Sequence, residues 1–426
     1  MHSLFKPALP VLALCLAGAF HTPSPAASAP NQADKAYSYR AFEVGPGVVN
    51  LSAADDLADY QWALKNSGNV RRILKKLDVA SLPPINVHRG SDGRIDGVQL
   101  PRLEPCNFQN ITTDAVAGTD INILPAWELY EQAPEKRFTV VAVIDTGIDT
   151  GHPDLSHSIW TNGDEIPGDG IDNDNNGYID DVNGWNFFSN NNQVYVGAED
   201  HHGTHAAGTI AAAKGNKGIV GITDNDHVKI MPIKALGTEE RKGTAEDVVN
   251  AIHYAEANGA SICNLSFGSS EYNETVAQAI RDSNMLFVVA AGNGNQYGIG
   301  YSIDRHPVYP ASLPYDNVIT VANLLFDGNL DESSNYGVQS VDIAAPGVYI
   351  LSTVAGNGYG YMSGTSMAAP MVTGVAAMVY SSHPGMSVLD VKNAILSSAR
   401  KTNALAGRVL SGGMLDAGAA MAYGSQ

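Results

Sequence analysis

The chain has 426 residues, of which 44% are hydrophobic and 16% charged, and it carries a formal net charge of -19 at pH 7. This length and composition fit one large α/β domain with its own hydrophobic core. The negative charge argues against binding to nucleic acids or to anionic membrane surfaces, and it supplies many carboxylates for metal ions.

Residues 1–26 are typical of an export signal. Lys6 precedes an apolar run at 9–20, which is too short to span a membrane, and small residues follow. We expect cleavage after Ala26. Lipidation at Cys15 is the alternative, but a large residue precedes this cysteine where a lipidation motif has a small one. The mature protein is therefore expected in the periplasm or in the medium.

Strands and helices are predicted to alternate along the rest of the chain. A continuous apolar run from Phe138 to Ile144 predicts a buried strand, with Val140–Ile144 as its regular part. The later predictions are strands at 229–234, 260–265, 286–290 and 318–322, helices at 245–258 and 273–284, and a surface helix at 387–401. This alternation predicts an α/β fold with a doubly wound, mostly parallel central sheet flanked by helices in a single domain.

Three motifs carry the groups that activate a serine nucleophile. Asp145 lies in VIDTGID, His202 in HHGTHAAG and Ser366 in GTSMAAP. A serine hydroxyl needs an imidazole to accept its proton and a carboxylate to orient that imidazole. His202 and Ser366 each open a stretch of small, helix-compatible residues, so both are expected at helix N-termini above the carboxyl edge of the sheet. The motifs predict a serine peptidase.

With these motifs the chain resembles the subtilisin-like serine peptidases, in which acid, base and nucleophile follow in this order. The resemblance runs from about Asp55 to the C-terminus and includes DTGIDTGHPDL, HGTHAAG, NLSFG, AAGN, YPA, AAPG and SGTSMAAP. It implies a subtilisin-like fold and an endopeptidase that works through an acyl-enzyme.

The resemblance also implies roles in binding the oxyanion and the substrate. The side-chain amide of Asn293, in AAGN, is expected to hold the oxyanion together with the backbone N–H of Ser366. An isolated Asn before a glycine is more often a turn residue. Ser266, Phe267 and Gly268 are expected to form an edge strand that pairs with an extended peptide.

Two further histidines flank the expected base. The family places the base at the first His of HGTH, which is His202, and His205 is then expected to be structural. His201 is expected at the surface. After removal of the signal, Cys263 lies in an apolar strand and is expected to be a buried free thiol, so no disulfide is predicted.

The segment GDGIDNDNNGYIDD predicts a calcium-binding loop. Oxygen-bearing side chains at Asp172, Asp174 and Asn176 recur at every second residue, as in an EF-hand-type loop. The twelfth position lacks the usual glutamate, so Asp180 or Asp181 would have to close the site. A solvated acidic turn is the alternative. The family resemblance adds a second calcium site at Asp154, together with a loop near Asn216.

The domain boundaries follow from the extent of the resemblance. Residues 27–54 form a short N-terminal segment that is a possible pro-segment, and 55–426 form the peptidase domain. An insertion at about 69–116 matches nothing in the family. It is either an exposed segment that is trimmed during activation or a structural loop.

Taken together, the sequence predicts a secreted, calcium-stabilised serine endopeptidase that acts on polypeptides as a monomer, without a nucleic-acid partner or a membrane span. One alternative is a calcium-dependent peptide-binding protein on the same scaffold. Another is a dedicated maturase for one partner protein. Labelling of the active-site serine would separate the enzymes from the binding protein.

Overall fold

The computed structural model describes residues 47–48, 57–70, 87–89, 95–98, 114–215, 218–237, 243–295 and 298–423. The predicted signal peptide lies outside the described residues. So do the possible pro-segment, except for 47–48, and most of the predicted insertion.

The described strands form one large sheet and two small ones. In chain order they are β1 (Gly47–Val48), β2 (Val87–Arg89), β3 (Ile95–Val98), β4 (Thr139–Asp145), β5 (Trp185–Asn186), β6 (Val228–Lys234), β7 (Ala260–Leu265), β8 (Leu286–Ala290), β9 (Val318–Leu324), β10 (Ile343–Pro346), β11 (Ile350–Val354), β12 (Gly358–Met362), β13 (Arg400–Lys401) and β14 (Gly413–Met414).

The large sheet has the strand order β13-β14-β10-β9-β8-β7-β4-β6-β5. Its neighbouring strands are parallel, except that β13 and β14 are antiparallel. β12 pairs antiparallel with both β1 and β11, and β2 pairs antiparallel with β3. The predicted mostly parallel central sheet is confirmed.

The described helices are α1 (Ile123–Gln132), α2 (His201–Ala211), α3 (Ala245–Ala257), α4 (Glu274–Asp282), α5 (Thr365–Ser382), α6 (Val388–Ser397) and α7 (Ala417–Ala422). A capping box starts α3, because the hydroxyl of Thr244 accepts the Asp247 N–H while the Asp247 carboxylate accepts the Thr244 N–H. The surface helix predicted for 387–401 was too long: it ends at Ser397, and the chain then enters β13. Within the described part of the chain, no helix is long and apolar enough to cross a membrane.

The core lies on both faces of the large sheet. Successive side chains of a strand point to opposite faces, so Val141 and Val143 join the cluster that contains α2 and α5, whereas Val140, Ala142 and Ile144 join the cluster that contains α3 and α4. Burial on both faces explains the continuous apolar run of β4. Phe138, predicted to open this run, lies before the strand and is 58% exposed.

Residues 57–70 form a segment that we call the N-terminal strap. Its Trp62 is buried, donates Nε1–H to the carbonyl oxygen of Val348 at 2.9 Å and packs edge-on against Phe326 at a ring distance of 5.9 Å. The Asn66 amide nitrogen donates to the Phe326 carbonyl oxygen at 2.9 Å, and Asn66 O accepts the Gly118 N–H at 2.8 Å. The strap is therefore built into the core.

Candidate active site

Asp145, Ser266 and Asn293 lie at or just after the ends of neighbouring strands, on the carboxyl edge of the large sheet. Asp145 ends β4, Ser266 follows β7, and Asn293 follows β8, and these three strands are adjacent in the sheet. His202 and Ser366 lie in the first turns of α2 and α5. This is the edge at which parallel α/β sheets bind ligands.

Asp145 and His202 form a buried hydrogen-bonded pair. The distance between Asp145 Oδ1 and His202 Nδ1 is 2.8 Å, and the same oxygen accepts the Thr146 N–H at 2.6 Å. Burial lowers the pKa of His202, but the charge and hydrogen bond of Asp145 raise it by more, so the net pKa is above its usual value. The carboxylate thus orients the ring and makes it a stronger base.

Glycines let α2 approach the end of β4. A Cβ on Gly203 would overlap the carbonyl oxygen of Gly147 and lie 3.1 Å from Asp145 Cβ, so no larger residue fits next to His202. Gly147 itself has a φ of 118°, which L side chains rarely adopt. The chain after Asp145 can therefore turn sharply beneath the helix that carries His202.

Ser366 is held against the end of β7 by two hydrogen bonds with Ser266. Ser366 Oγ donates to the Ser266 carbonyl oxygen, and Ser266 Oγ donates to the Ser366 carbonyl oxygen, both at 3.0 Å. The Ser366 carbonyl oxygen can accept this bond because it has no partner within α5. The residue four positions later is Pro370, which has no N–H to donate to it. His202 Nε2 is buried and has no hydrogen-bond partner.

Asn293 is fixed through its side-chain oxygen. Asn293 Oδ1 accepts the backbone N–H and the hydroxyl of Thr365, both at 2.8 Å. These bonds orient the amide and leave its Nδ2 as a donor beside Gly364, where an added Cβ would lie 2.9 Å from that nitrogen. The N–H of Ser366 belongs to the first turn of α5, where backbone donors have no partner within the helix. Two donors therefore lie near the serine.

Ser266, Phe267 and Gly268, which are predicted to pair with an extended peptide, directly follow β7. β7 ends at Leu265 and lies in the interior of the sheet between β4 and β8, and all three following residues are buried outside regular structure. The chain pairs only one residue later, where Ser269 exchanges backbone hydrogen bonds with Tyr309 at 2.8 and 2.7 Å. The segment still borders the serine through the Ser266 carbonyl oxygen.

Both additional histidines are buried. His205 Nε2 contacts the Ile350 carbonyl oxygen at 2.9 Å, and burial lowers the pKa of this histidine to about 3. The prediction that His201 lies at the surface was wrong, because its side chain is buried. Burial lowers its pKa to about 4, although the charge of Asp149 acts in the opposite direction. Cys263 is a buried free cysteine, as predicted.

Residues 164–183, called the acidic loop here, bring three carboxylates together. Oxygens of Glu165, Asp174 and Asp181 lie within 4.8 Å of one another. The amide nitrogen of Asn162 donates to Asp174 at 3.0 Å and to Asp181 at 2.9 Å, and that of Asn176 donates to the same two carboxylates. No ion pair of the described residues includes any of these carboxylates.

The remaining predicted ligands of the acidic loop shape its turns. Asp172 accepts the backbone N–H groups of Asn176 and Gly177, and Asp180 accepts those of Gly168 and Gly170. Of the two carboxylates predicted to close the site, Asp181 therefore joins the cluster. Glu165 was missed because it precedes the EF-hand-like repeat. The only signal for Glu165 in the sequence was that it is acidic and lies a few positions upstream of that repeat.

Asp154 lies apart from the acidic loop. It is buried, its Oδ2 accepts the Ile219 N–H at 3.1 Å, and its backbone N–H donates to His152 Nδ1 at 3.1 Å. Val220, which follows Ile219, is bonded to Gln61 of the N-terminal strap. The Gln61 side-chain oxygen accepts the Val220 N–H, and the side-chain nitrogen donates to the Val220 carbonyl oxygen. Asn216, the other predicted position, lies outside the described residues.

Comparisons with known proteins find a matching family and similar proteins. The family described as "Subtilase family" matches residues 136–413. "Subtilisin-like protease 1" of Plasmodium vivax is 35% identical over 409 residues, which cover 88% of this chain and 64% of that protein. "Major intracellular serine protease" of Bacillus subtilis (strain 168) is 35% identical over 265 residues, 61% of this chain and 74% of that protein.

A solved structure of a subtilisin-related enzyme is also similar to this chain. Fervidolysin from Fervidobacterium pennivorans, described as a keratinolytic enzyme related to subtilisin, matches 70% of this chain with a TM-score of 0.55 and 27% identity. The chain spans 45% of the fervidolysin chain, so it corresponds to less than half of that protein.

Proposed function

Because the chain belongs to the subtilase family, we propose that it is a serine endopeptidase that hydrolyses peptide bonds through Asp145, His202 and Ser366. The observation that carries this proposal is the buried 2.8 Å bond between Asp145 and His202, on the edge of the sheet where α5 presents Ser366. Ser366 attacks the peptide carbonyl, and water later releases the acyl-enzyme.

His202 moves the proton in each step. Its Nδ1–H is held by Asp145, which fixes the tautomer in which Nε2 is the acceptor. Nε2 has no other partner and can take the Ser366 proton and then pass it to the leaving amine. Ser366 Oγ must first turn from the Ser266 carbonyl oxygen, as catalytic hydrogen bonds often tighten only when substrate binds.

The negative charge that develops on the substrate oxygen is held by Asn293 Nδ2 and the Ser366 N–H. Thr365 fixes the amide of Asn293 before the reaction, so this donor needs no reorganisation as the charge forms. Preorganised donors of this kind stabilise the transition state more than the bound substrate.

We propose that calcium stabilises the acidic loop. Glu165, Asp174 and Asp181 would hold the ion, because hard carboxylate oxygens suit calcium and buried like charges need a cation. The donor set fits: Asp181 is fully buried and otherwise depends on neutral donors, including the hydroxyl of Tyr254 at 2.5 Å. Asp172 and Asp180 would support the loop. A second calcium ion is proposed at Asp154.

The substrate class and location complete the proposal. Polypeptides would bind in extended form beside Ser266, Phe267 and Gly268, whose backbone borders Ser366. The protein is proposed to be exported, on the basis of the signal-like pattern in residues 1–26, and to act as a monomer. The charge of -19 disfavours nucleic-acid substrates.

The test of the activity is mass spectrometry of an unstructured protein and a peptide library after incubation with the protein. We expect cleavage by the wild type, none by Ser366→Ala, and labelling of Ser366 by a serine-directed phosphonate. A folded wild type that binds peptide but neither cleaves nor reacts with the label would favour the peptide-binding protein. Labelling without cleavage of the library would favour a maturase for one partner.

The calcium proposal is tested by thermal unfolding with and without a chelator. We expect chelation to lower the Tm, and addition of calcium to restore it, in the wild type. Asp174→Asn should reduce this calcium-dependent shift. Asp169→Asn, an exposed change in the same loop, should keep it. Equal Tm values with and without calcium would contradict the proposal.

A further inference from the structure

Lys234 is a buried cation at the carboxyl end of β6. Its side chain is 1% exposed, and in the sheet register it lies opposite Asp145 of β4. Nζ donates to the Thr146 carbonyl oxygen, to Glu199 Oε1 at 2.9 Å and to Asp200 Oδ1 at 2.8 Å. An ammonium group has three N–H donors, so these acceptors satisfy all of them.

The acceptors of Lys234 come from both sides of the proposed acid–base pair. Thr146 directly follows Asp145, whereas Asp200 lies two residues before His202, at the start of α2. A second bond joins the same two segments, because Thr146 Oγ1 accepts the Gly203 N–H at 3.2 Å. One buried side chain thus links the end of the acid's strand to the start of the base's helix.

Asp200 accepts hydrogen bonds through both carboxylate oxygens and through its carbonyl oxygen. Its Oδ2 accepts the N–H groups of Val196 at 2.5 Å and Gly197 at 3.1 Å, and its carbonyl oxygen accepts the Thr204 hydroxyl at 2.7 Å. A Cβ on Gly147 would overlap Asp200 Oδ1, so the carboxylate packs directly on the turn after Asp145. Burial raises the pKa of Asp200 to about 6, and the charge of Lys234 opposes this rise.

We infer that Lys234 is a positioning residue, which sets the relative placement of Asp145 and His202 by holding Thr146 and Asp200 together. This inference rests on the proposed peptidase function. Lys234 does not reach the reacting atoms, since its donors are used by Thr146, Glu199 and Asp200. Loss of Lys234 would leave the Asp200 carboxylate buried without its cation. The bond between Thr146 Oγ1 and the Gly203 N–H would then be left to tie Thr146 to the start of α2.

Two roles of Lys234 can be told apart. If the ion pair only stabilises the fold, its loss lowers the amount of folded protein but leaves the turnover of each folded molecule unchanged. If Lys234 positions His202, turnover per active site falls while substrate affinity is kept. A displacement of about 1 Å at a catalytic group costs on the order of 10²-fold in rate.

The experiment compares Lys234→Met with Lys229→Met. Lys229 lies on the same strand, but near its other end, and donates to the carbonyl oxygens of His157 and Asn225. With active sites counted by titration of Ser366, we expect kcat of Lys234→Met to fall about 10²-fold with KM almost unchanged. Lys229→Met should keep the kcat of the wild type. Unchanged kcat per active site in Lys234→Met would overturn the inference.

A double variant covers the case in which Lys234→Met does not fold. Lys234→Met/Asp200→Asn has no uncompensated buried charge and should recover thermal stability. It still lacks the bond to Thr146, so we expect its kcat per active site to stay low. Recovery of both stability and kcat would show that Lys234 serves only to neutralise Asp200, and would overturn the inference.

Proton NMR separates this inference from the proposed function. The proton between His202 Nδ1 and Asp145 can be observed whether or not the protein cleaves peptides. We expect its signal to broaden or shift in the double variant and to stay unchanged in Lys229→Met. An unchanged signal in the double variant would overturn the inference, even in a protein that proves to have no peptidase activity.

Discussion

The side chain of Asn293 is fixed by two hydrogen bonds that its Oδ1 accepts from Thr365. Its Nδ2 can therefore donate to a substrate carbonyl oxygen as negative charge develops there. We expect Asn293→Ala to lower kcat about 10²–10³-fold, the loss known for one such donor in subtilisin, with little change in KM. Steady-state kinetics on a chromogenic peptide would measure both values. A higher KM at unchanged kcat would instead assign Asn293 to substrate binding.

The pair of Asp145 and His202 sets the pH dependence of the proposed reaction. Burial lowers the pKa of His202, and Asp145 raises it by more. Only neutral imidazole accepts a proton, so kcat/KM should rise with pH with a midpoint above the usual value of about 6.5. In Asp145→Asn burial dominates, so the midpoint should move to lower pH, and kcat should fall about 10⁴-fold.

The measurement is kcat/KM of both proteins over a range of pH with one peptide substrate. Thermal unfolding of both proteins at the same pH values would serve as the control for folding. The same midpoint in the wild type and in Asp145→Asn would contradict the assignment of the titrating group to His202.

At the scale of elements, the contact between α2 and β4 determines where His202 lies. Gly203→Ala would place a methyl group against Asp145 Cβ at the end of β4 and against the Gly147 carbonyl oxygen in the turn that follows. We expect this overpacking to cost about 1–3 kcal/mol of unfolding free energy and to lower kcat as α2 shifts. Chemical denaturation and kinetics would measure the two effects.

Gly385→Ala is the matched control for that change. No heavy atom lies within 4 Å of a Cβ built on Gly385, so its stability should stay within about 0.5 kcal/mol of the wild type. Equal stability and activity of Gly203→Ala and Gly385→Ala would show that α2 does not pack as tightly on β4 as the structure indicates.

The elements that carry the site were predictable because their signals are local. β4, β6, β7 and β8 are short apolar runs buried on both faces, and the sequence placed each within a residue or two of its bounds. The segment at 266–268 was not predictable in the same way. It leads into the pairing of Ser269 with Tyr309, which lies 40 positions further along the chain and has no local signal in the sequence.

At the scale of the whole molecule, the side chains that the sequence analysis misjudged or did not single out are those whose surroundings come from distant segments. His201 is buried near Asp149, and Lys234 is covered by the turn that precedes α2. Neither residue differs from a surface histidine or lysine in its own sequence neighbourhood. Glu165 likewise gains its meaning only when the acidic loop folds back to bring Asp174 and Asp181 beside it.

The N-terminal strap leads to a prediction about maturation. Trp62, Asn66 and Val70 are buried in the core, and Asn66 joins the strap to residue 118 on the far side of the predicted insertion. We therefore expect the strap to remain bound after any cut between residues 70 and 114. A site for a specific protease, inserted within 71–113 of the Ser366→Ala protein, would make that cut.

Native and denaturing mass spectrometry of the cut protein would read the result. We expect the complete mass under native conditions and two fragments after denaturation. Trp62→Ala removes a buried side chain worth about 3–5 kcal/mol, so it should release the strap once the chain is cut, whereas Lys65→Ala, at an exposed position of the strap, should not. Release of the strap from the cut wild-type sequence would mean that residues 57–70 depend on the covalent link, and that trimming of the insertion would remove them from the mature protein.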